Sequence, residues 1–128
     1  MEQKCLRWAG FHGFCAVAMG AFGAHRLKAG VALLPPEEAA KILGWVETGS
    51  RYQLAHAAAL LGLAALWPRL KGVAARRTLN AWAWGALIFS VTLYAMALGA
   101  PRWLGAVTPI GGVALLLGWL SLGWALKE

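Results

Sequence analysis

The residues able to do chemistry are few and they concentrate in one stretch. Glu47 to Trp67 reads ETGSRYQLAHAAALLGLAALW and carries Glu47, Arg51, Tyr52, Gln53 and His56. Glu47 and Arg51 stand at i, i+4 with the acid on the N-terminal side, the better order for a helical ion pair, and Tyr52 and His56 repeat that spacing. His25 upstream and Ser90, Tyr94 and Thr108 downstream complete the candidate set. Together they could contact a lipophilic ligand or a lipid headgroup, or cap and cross-link helices. Two histidines on separate helices at one depth would also be the minimum for a b-type haem. His25 and His56 are expected to match in depth, whereas His12, thirteen residues from His25, would lie about 20 Å deeper.

The elements that must hold these groups are hydrophobic to an unusual degree. Of 128 residues, 60% are hydrophobic and 13% charged, outside the soluble range. An all-α membrane protein follows: a four-transmembrane-helix bundle forming one domain, residues 1–128, with spans at about 6–25, 50–67, 79–99 and 109–126. From Tyr52 to Trp67 no residue is charged. That run measures roughly 24 Å against a hydrocarbon core of about 30 Å, so the helix must extend upstream or Arg51 must snorkel. Pro35-Pro36 ahead of Glu37 and Glu38 looks like a helix start. Ile42, Leu43 and Trp45 predict a short amphipathic helix lying on the surface within the first loop.

The run from Trp8 to Ala24 could pass for a signal peptide, but it is long enough to span and is expected to be a retained helix. On it Ala9, Gly13, Ala16, Gly20, Gly23 and Ala24 share one face, with Phe11, Phe14 and Phe22 opposite. His12 borders the small face and is expected to point toward protein. The third span has a small stripe of Ala83, Ala86, Ser90 and Ala97, and the fourth has Gly111, Ala114, Gly118, Ser121 and Ala125. Small residues facing protein and large ones facing lipid is how membrane helices achieve close packing. Thr108-Pro109 reads as an N-cap followed by proline at the first helical position.

Lys4, Arg7, Arg69, Lys71, Arg76, Arg77 and Lys127 fall on one side of this topology and Arg26, Lys28, Lys41, Arg51 and Arg102 on the other. The positive-inside rule then places both termini in the cytoplasm. Trp8, Trp67, Trp82, Trp84 and Trp124 would mark the inner interface, and Trp45 and Trp103 the outer. The net charge of +7 has no basic run interleaved with polar or aromatic readers, so nucleic acid is not an expected partner. Cys5 and Cys15 are about 15 Å apart along one helix and cannot pair. In this topology His25, Glu47, Arg51, Tyr52, Gln53, His56, Ser90, Tyr94 and Thr108 gather in the outer leaflet.

Four blocks, GAFGAHRL (Gly20–Leu27), TGSRYQLAH (Thr48–His56), SVTLYAMAL (Ser90–Leu98) and TPIGGVALLLGW (Thr108–Trp119), resemble the motifs of the YgdD-like inner-membrane family. This is the family labelled domain of unknown function 423, related to the animal transmembrane protein 256 group. Val91 departs from the small residue, often glycine, expected in the third block. The resemblance implies a small multi-pass protein of the bacterial inner (plasma) membrane and no established activity.

The function expected is that of a structural or accessory subunit of a larger membrane complex, in contact with the lipid bilayer and with other subunits or a second copy of itself. The alternatives are a pocket for a quinone, a lipid or a haem, and a small dimeric transporter. Transport is disfavoured because every Glu lies near a helix end. No enzyme, metal site or cofactor is expected: there is no Ser–His–acid set at one depth and no metal-ligand spacing. GAFGAH lies in an apolar span rather than after a strand, so it is not a phosphate loop.

Overall fold

The computed structural model describes residues 1–126. Lys127, counted above among the basic residues, lies outside them. Four long helices account for most of the chain: α1 (Glu2–Phe22), α2 (Pro36–Leu66), α3 (Gly72–Ala97) and α4 (Thr108–Gly123). Consecutive helices pack against each other, and α1 also touches α3. No strand forms among the described residues; a single antiparallel bridge joins Leu70 to Leu126 and ties the α2–α3 turn to the C-terminal segment.

The buried positions show why the chain folds this way. Cys5, Ala9, His12 and Ala16 on α1 recur at alternating spacings of four and three, as do Val46, Gly49, Gln53, His56, Leu60 and Leu63 on α2. Thr108, Gly111, Leu115 and Gly118 on α4 do the same. That is the period of a left-handed helix seam. The small stripe of α3 is the innermost of all: Ala83 is 1%, Ala86 0% and Ser90 0% exposed. Two helices are long and apolar enough to cross a membrane by composition, Gly72–Ala97 and the segment Arg102–Gly123, which joins α4 to the 3-10 turn before it.

Four expectations need correction. The separate surface helix does not exist, because α2 runs unbroken for 31 residues, about 46 Å. Nothing between Lys41 and Ser50 stops it, and Ile42, Leu43 and Trp45 are half-buried against Leu27, Val31 and Tyr94 rather than lying on a surface. The first helix does not end at His25 either; it passes through a π-helical turn, Gly23–Leu27, to Gly30. Thr108 makes no cap. The 3-10 turn Arg102–Ala106 already leads into α4, and the Thr108 hydroxyl turns instead toward Thr92 (2.7 Å) and Leu104. Trp82 is not an interfacial residue, being 1% exposed at the centre of the largest apolar cluster.

Val91, the departure in the third block, is 48% exposed. Its larger side chain therefore sits outside the helix seams.

Candidate functional site

The most organised polar feature joins three helices at mid-height. His12 on α1 is fully buried and places Nε2 3.0 Å from the carbonyl oxygen of Ala83 on α3. Gln53 on α2, also fully buried, lies with its amide nitrogen 3.1 Å from His12 Nδ1. The Tyr94 hydroxyl on α3 donates to Gln53 Oε1 at 2.7 Å. With the Gln53 amide nitrogen toward His12, these contacts set one proton arrangement. A carbonyl only accepts, so His12 carries its proton on Nε2, Nδ1 accepts from the Gln53 amide, and the freed amide oxygen accepts from Tyr94. The imidazole is neutral, and all its hydrogen-bonding capacity is used.

Local sequence makes this possible. His12 follows Ala9 by three and precedes Ala16 by four, so it shares the small face that meets α2 and α3. Gly49, one turn before Gln53, has Tyr94 against it: a methyl group there would meet the ring at 2.7 Å. The Ser90 hydroxyl then donates to the Gly49 carbonyl at 3.0 Å, pinning α3 to α2 at the same level.

His56, one turn further along α2, forms a second and separate unit. Its Nδ1 lies 2.8 Å from the Tyr52 carbonyl oxygen, and the Trp119 indole donates to Nε2 at 3.1 Å. It therefore carries its proton on Nδ1, the opposite tautomer to His12. Its ring lies edge-on to both Trp82 and Trp119, which contact one another with centroids 4.5 Å apart. The Trp82 indole N–H is the one buried side-chain polar atom without a partner among the described residues, and its edge rests on Gly118.

Of the nine residues singled out by sequence, Gln53 and Tyr94 join the three-helix network, and Ser90 backs it. His56 belongs to the second unit, and Thr108 pairs with Thr92 between α3 and α4. The other four lie outside. Glu47 and Arg51 form their i, i+4 pair at 2.5 Å on the exposed face of α2. Tyr52 is 47% exposed, with its ring on Phe89. His25 is exposed on the π-helical turn. His25 and His56 do not share a depth: Gly23 abuts Val46, ten residues before His56, so the two lie at least about 15 Å apart along the helices. A haem held between them does not fit, and His56 Nε2 is already engaged.

His12 was missed as a member of the cluster. The 4-3-4 spacing of Cys5, Ala9, His12 and Ala16 was the signal that could have found it. The ion pair of Arg102 with Glu38, and the placement of Arg102 and Lys41 each 5.7 Å from the Trp45 ring centroid, were likewise unforeseen. Among the described residues no group of three or more His, Cys, Asp or Glu could hold a metal ion.

Comparison with known proteins places this arrangement in a set of relatives. A family profile described as "Protein of unknown function (DUF423)" matches residues 19–112. A UPF0382 membrane protein of Haemophilus influenzae is 40% identical over 124 residues, covering 97% of this chain and 94% of the relative. The UPF0382 inner membrane protein YgdD of Escherichia coli K12 is 39% identical over 122 residues, with 89% and 82% covered. UPF0382 membrane protein YwdK of Bacillus subtilis is 35% identical over 109 residues, with 84% and 82% covered. No solved structure matches the chain.

Proposed function

The chain belongs to the family of unknown function 423, a family of membrane proteins, and from that premise we propose that all four long helices cross the bacterial inner membrane and that the protein serves as a structural or accessory subunit of a larger membrane complex. In this reading both termini and the 68–77 loop are cytoplasmic.

One contrast carries the proposal: the outside of the helices is apolar at mid-height while the polar side chains inside, the Trp82 indole excepted, are spent on hydrogen bonds within the bundle. Phe14 is 76% exposed on α1, Leu61 52% on α2, Val91 48% on α3 and Leu116 65% on α4. Four helices exposing large apolar side chains on their outer faces suit lipid or a partner rather than water. The polar groups of α1 and α2 include His12, Gln53 and His56 in the interior, Glu2, Lys4 and Arg7 at the start of α1, and Glu47 with Arg51 on the exposed face of α2. With His12, Gln53, Tyr94 and His56 all hydrogen-bonded, the interior presents a finished scaffold, and the reading assigns no catalytic step.

Extraction in mild detergent followed by native mass measurement tests it. Stoichiometric co-migration with a different chain is expected; a protein that runs alone as a small homo-oligomer contradicts the subunit reading. Alkaline phosphatase fused within residues 69–71 should be inactive and fused near residue 33 active, which checks the orientation.

A second reading is a lipophilic ligand in the cleft of about 280 Å³ lined by Tyr52, His56, Phe89, Gly112, Leu116 and Trp119. Its aromatic walls favour a flat ring. A quinone that shifts the Trp119 emission on titration would support it, and no shift at saturating quinone would remove it.

A further inference from the structure

The two ends of the bundle treat their arginines differently. At the end where α2 begins, Arg51 is paired with Glu47 and Arg102 with Glu38, and only Arg26 of the three arginines has no acidic partner among the described residues. At the opposite end Lys4, Arg7, Arg69, Lys71, Arg76 and Arg77 gather with Glu2 as the only acid among the described residues, and neither Arg7 nor Arg77 has an acidic partner. Each of these two arginines instead lines a mostly apolar groove that includes tryptophan. Arg7 borders a groove of about 350 Å³ formed with Trp8, Phe11, Trp84 and Leu87. Arg77 borders one of about 490 Å³ formed with Ala81, Leu117, Leu120 and Trp124.

The two arginines share one depth. His12 meets Ala83 directly, α1 and α3 run in the same direction, and Arg7 and Arg77 lie five and six residues before those positions. Both are thus about 8–9 Å from the contact, on the same side of it. Two guanidinium groups without an acidic partner among the described residues lie at one level, each at the mouth of an apolar slot. One slot is walled by Trp8, Phe11 and Trp84, the other by Ala81 and Leu117 with Trp124 at its outer end. This is the form of a phosphate contact above an acyl-chain groove.

We propose that these grooves each hold one anionic phospholipid, its phosphate on Arg7 or Arg77 and an acyl chain in the apolar slot beneath. The bound lipids supply the counter-charge that Glu47 and Glu38 supply to Arg51 and Arg102 at the other end. The inference rests on the membrane-spanning reading and is independent of which end is cytoplasmic.

Native mass spectrometry of protein released from equal mixtures of phosphatidylglycerol and phosphatidylcholine tests it. Two tightly held phosphatidylglycerol molecules are expected. Arg7→Gln and Arg77→Gln should each lose one, with affinity at that site falling about fivefold. The double variant should lose both and Arg26→Gln, at the other end, neither. Retention by the variants, or a statistical mixture of the two lipids on the wild-type protein, overturns the proposal; the wild-type measurement decides it even where a variant fails to fold. Alkali-resistant incorporation into pure phosphatidylcholine vesicles reports the spanning reading separately. Its failure removes the spans, whereas intact incorporation without headgroup preference removes only the lipid sites.

Discussion

The α1–α2–α3 side and the α3–α4 side of the molecule hold together by different means. On the first, helices are joined by directional bonds: His12 to Ala83, Gln53 to His12, Tyr94 to Gln53 and Ser90 to Gly49. On the second, the backbones themselves come into near contact, and the directional bonds are isolated hydroxyl contacts, Thr78 to Gly118, Ser121 to Ala74 and Thr92 with Thr108. A methyl group on Gly111 would fall 2.5 Å from the Phe89 nitrogen and 2.7 Å from the Gly85 carbonyl oxygen, and one on Gly118 2.5 Å from the Trp82 ring. Lipid provides no hydrophobic drive for helices to associate, so close packing and interhelical hydrogen bonds must do so. This chain uses both, with side-chain networks foremost on one side of α3 and glycine-mediated backbone approach foremost on the other.

The comparison can be broken at its dry side first. Gly111→Leu forces α3 and α4 apart and is expected to cost about 3 kcal/mol, read as a shifted SDS-unfolding midpoint in bicelles. Gly10→Leu, where nothing lies within 4 Å, should leave that midpoint in place. On the polar side Gln53→Leu strands both the Tyr94 hydroxyl and His12 Nδ1, with an expected loss of about 2 kcal/mol. Tyr94→Phe removes one bond and should cost about 1 kcal/mol. Combined with Gln53→Leu it should add almost nothing, because both changes act on one network. The smallest effect is expected from Arg51→Gln: the Glu47–Arg51 side chains are 69% and 72% exposed, and such pairs are worth less than about 1 kcal/mol.

The dry side was the more legible in sequence. Gly111, Ala114, Gly118, Ser121 and Ala125 could be read as a seam because small residues at alternating three and four spacing have few other uses in an apolar helix. Polar placement was harder. On α2 a helical wheel put Tyr52 with His56, but the buried face runs through Gln53 and His56, and a one-residue step turns a side chain by about 100°. Tyr52 consequently contributes a carbonyl and a ring contact rather than its hydroxyl. His25 and His12 exchanged roles because grouping by helix end ignores facing: His25 projects outward from a π-helical turn, while His12 lies on the seam. The continuity of α2 was half legible: Pro35-Pro36 marks its start and the short apolar run asks for an upstream extension, but Ile42, Leu43 and Trp45 also fit a separate surface helix, and Gly49 gives no sign in sequence that it seats Tyr94.

A closed polar interior makes opposite demands on the two buried histidines. The imidazole nitrogen-15 spectrum of the protein in lipid bilayers reads these demands directly. Neutral rings of opposite tautomer are expected, His12 protonated on Nε2 and His56 on Nδ1, assigned by their loss in His12→Gln and His56→Gln. Matching tautomers, or rings that titrate and exchange with water, would contradict the account.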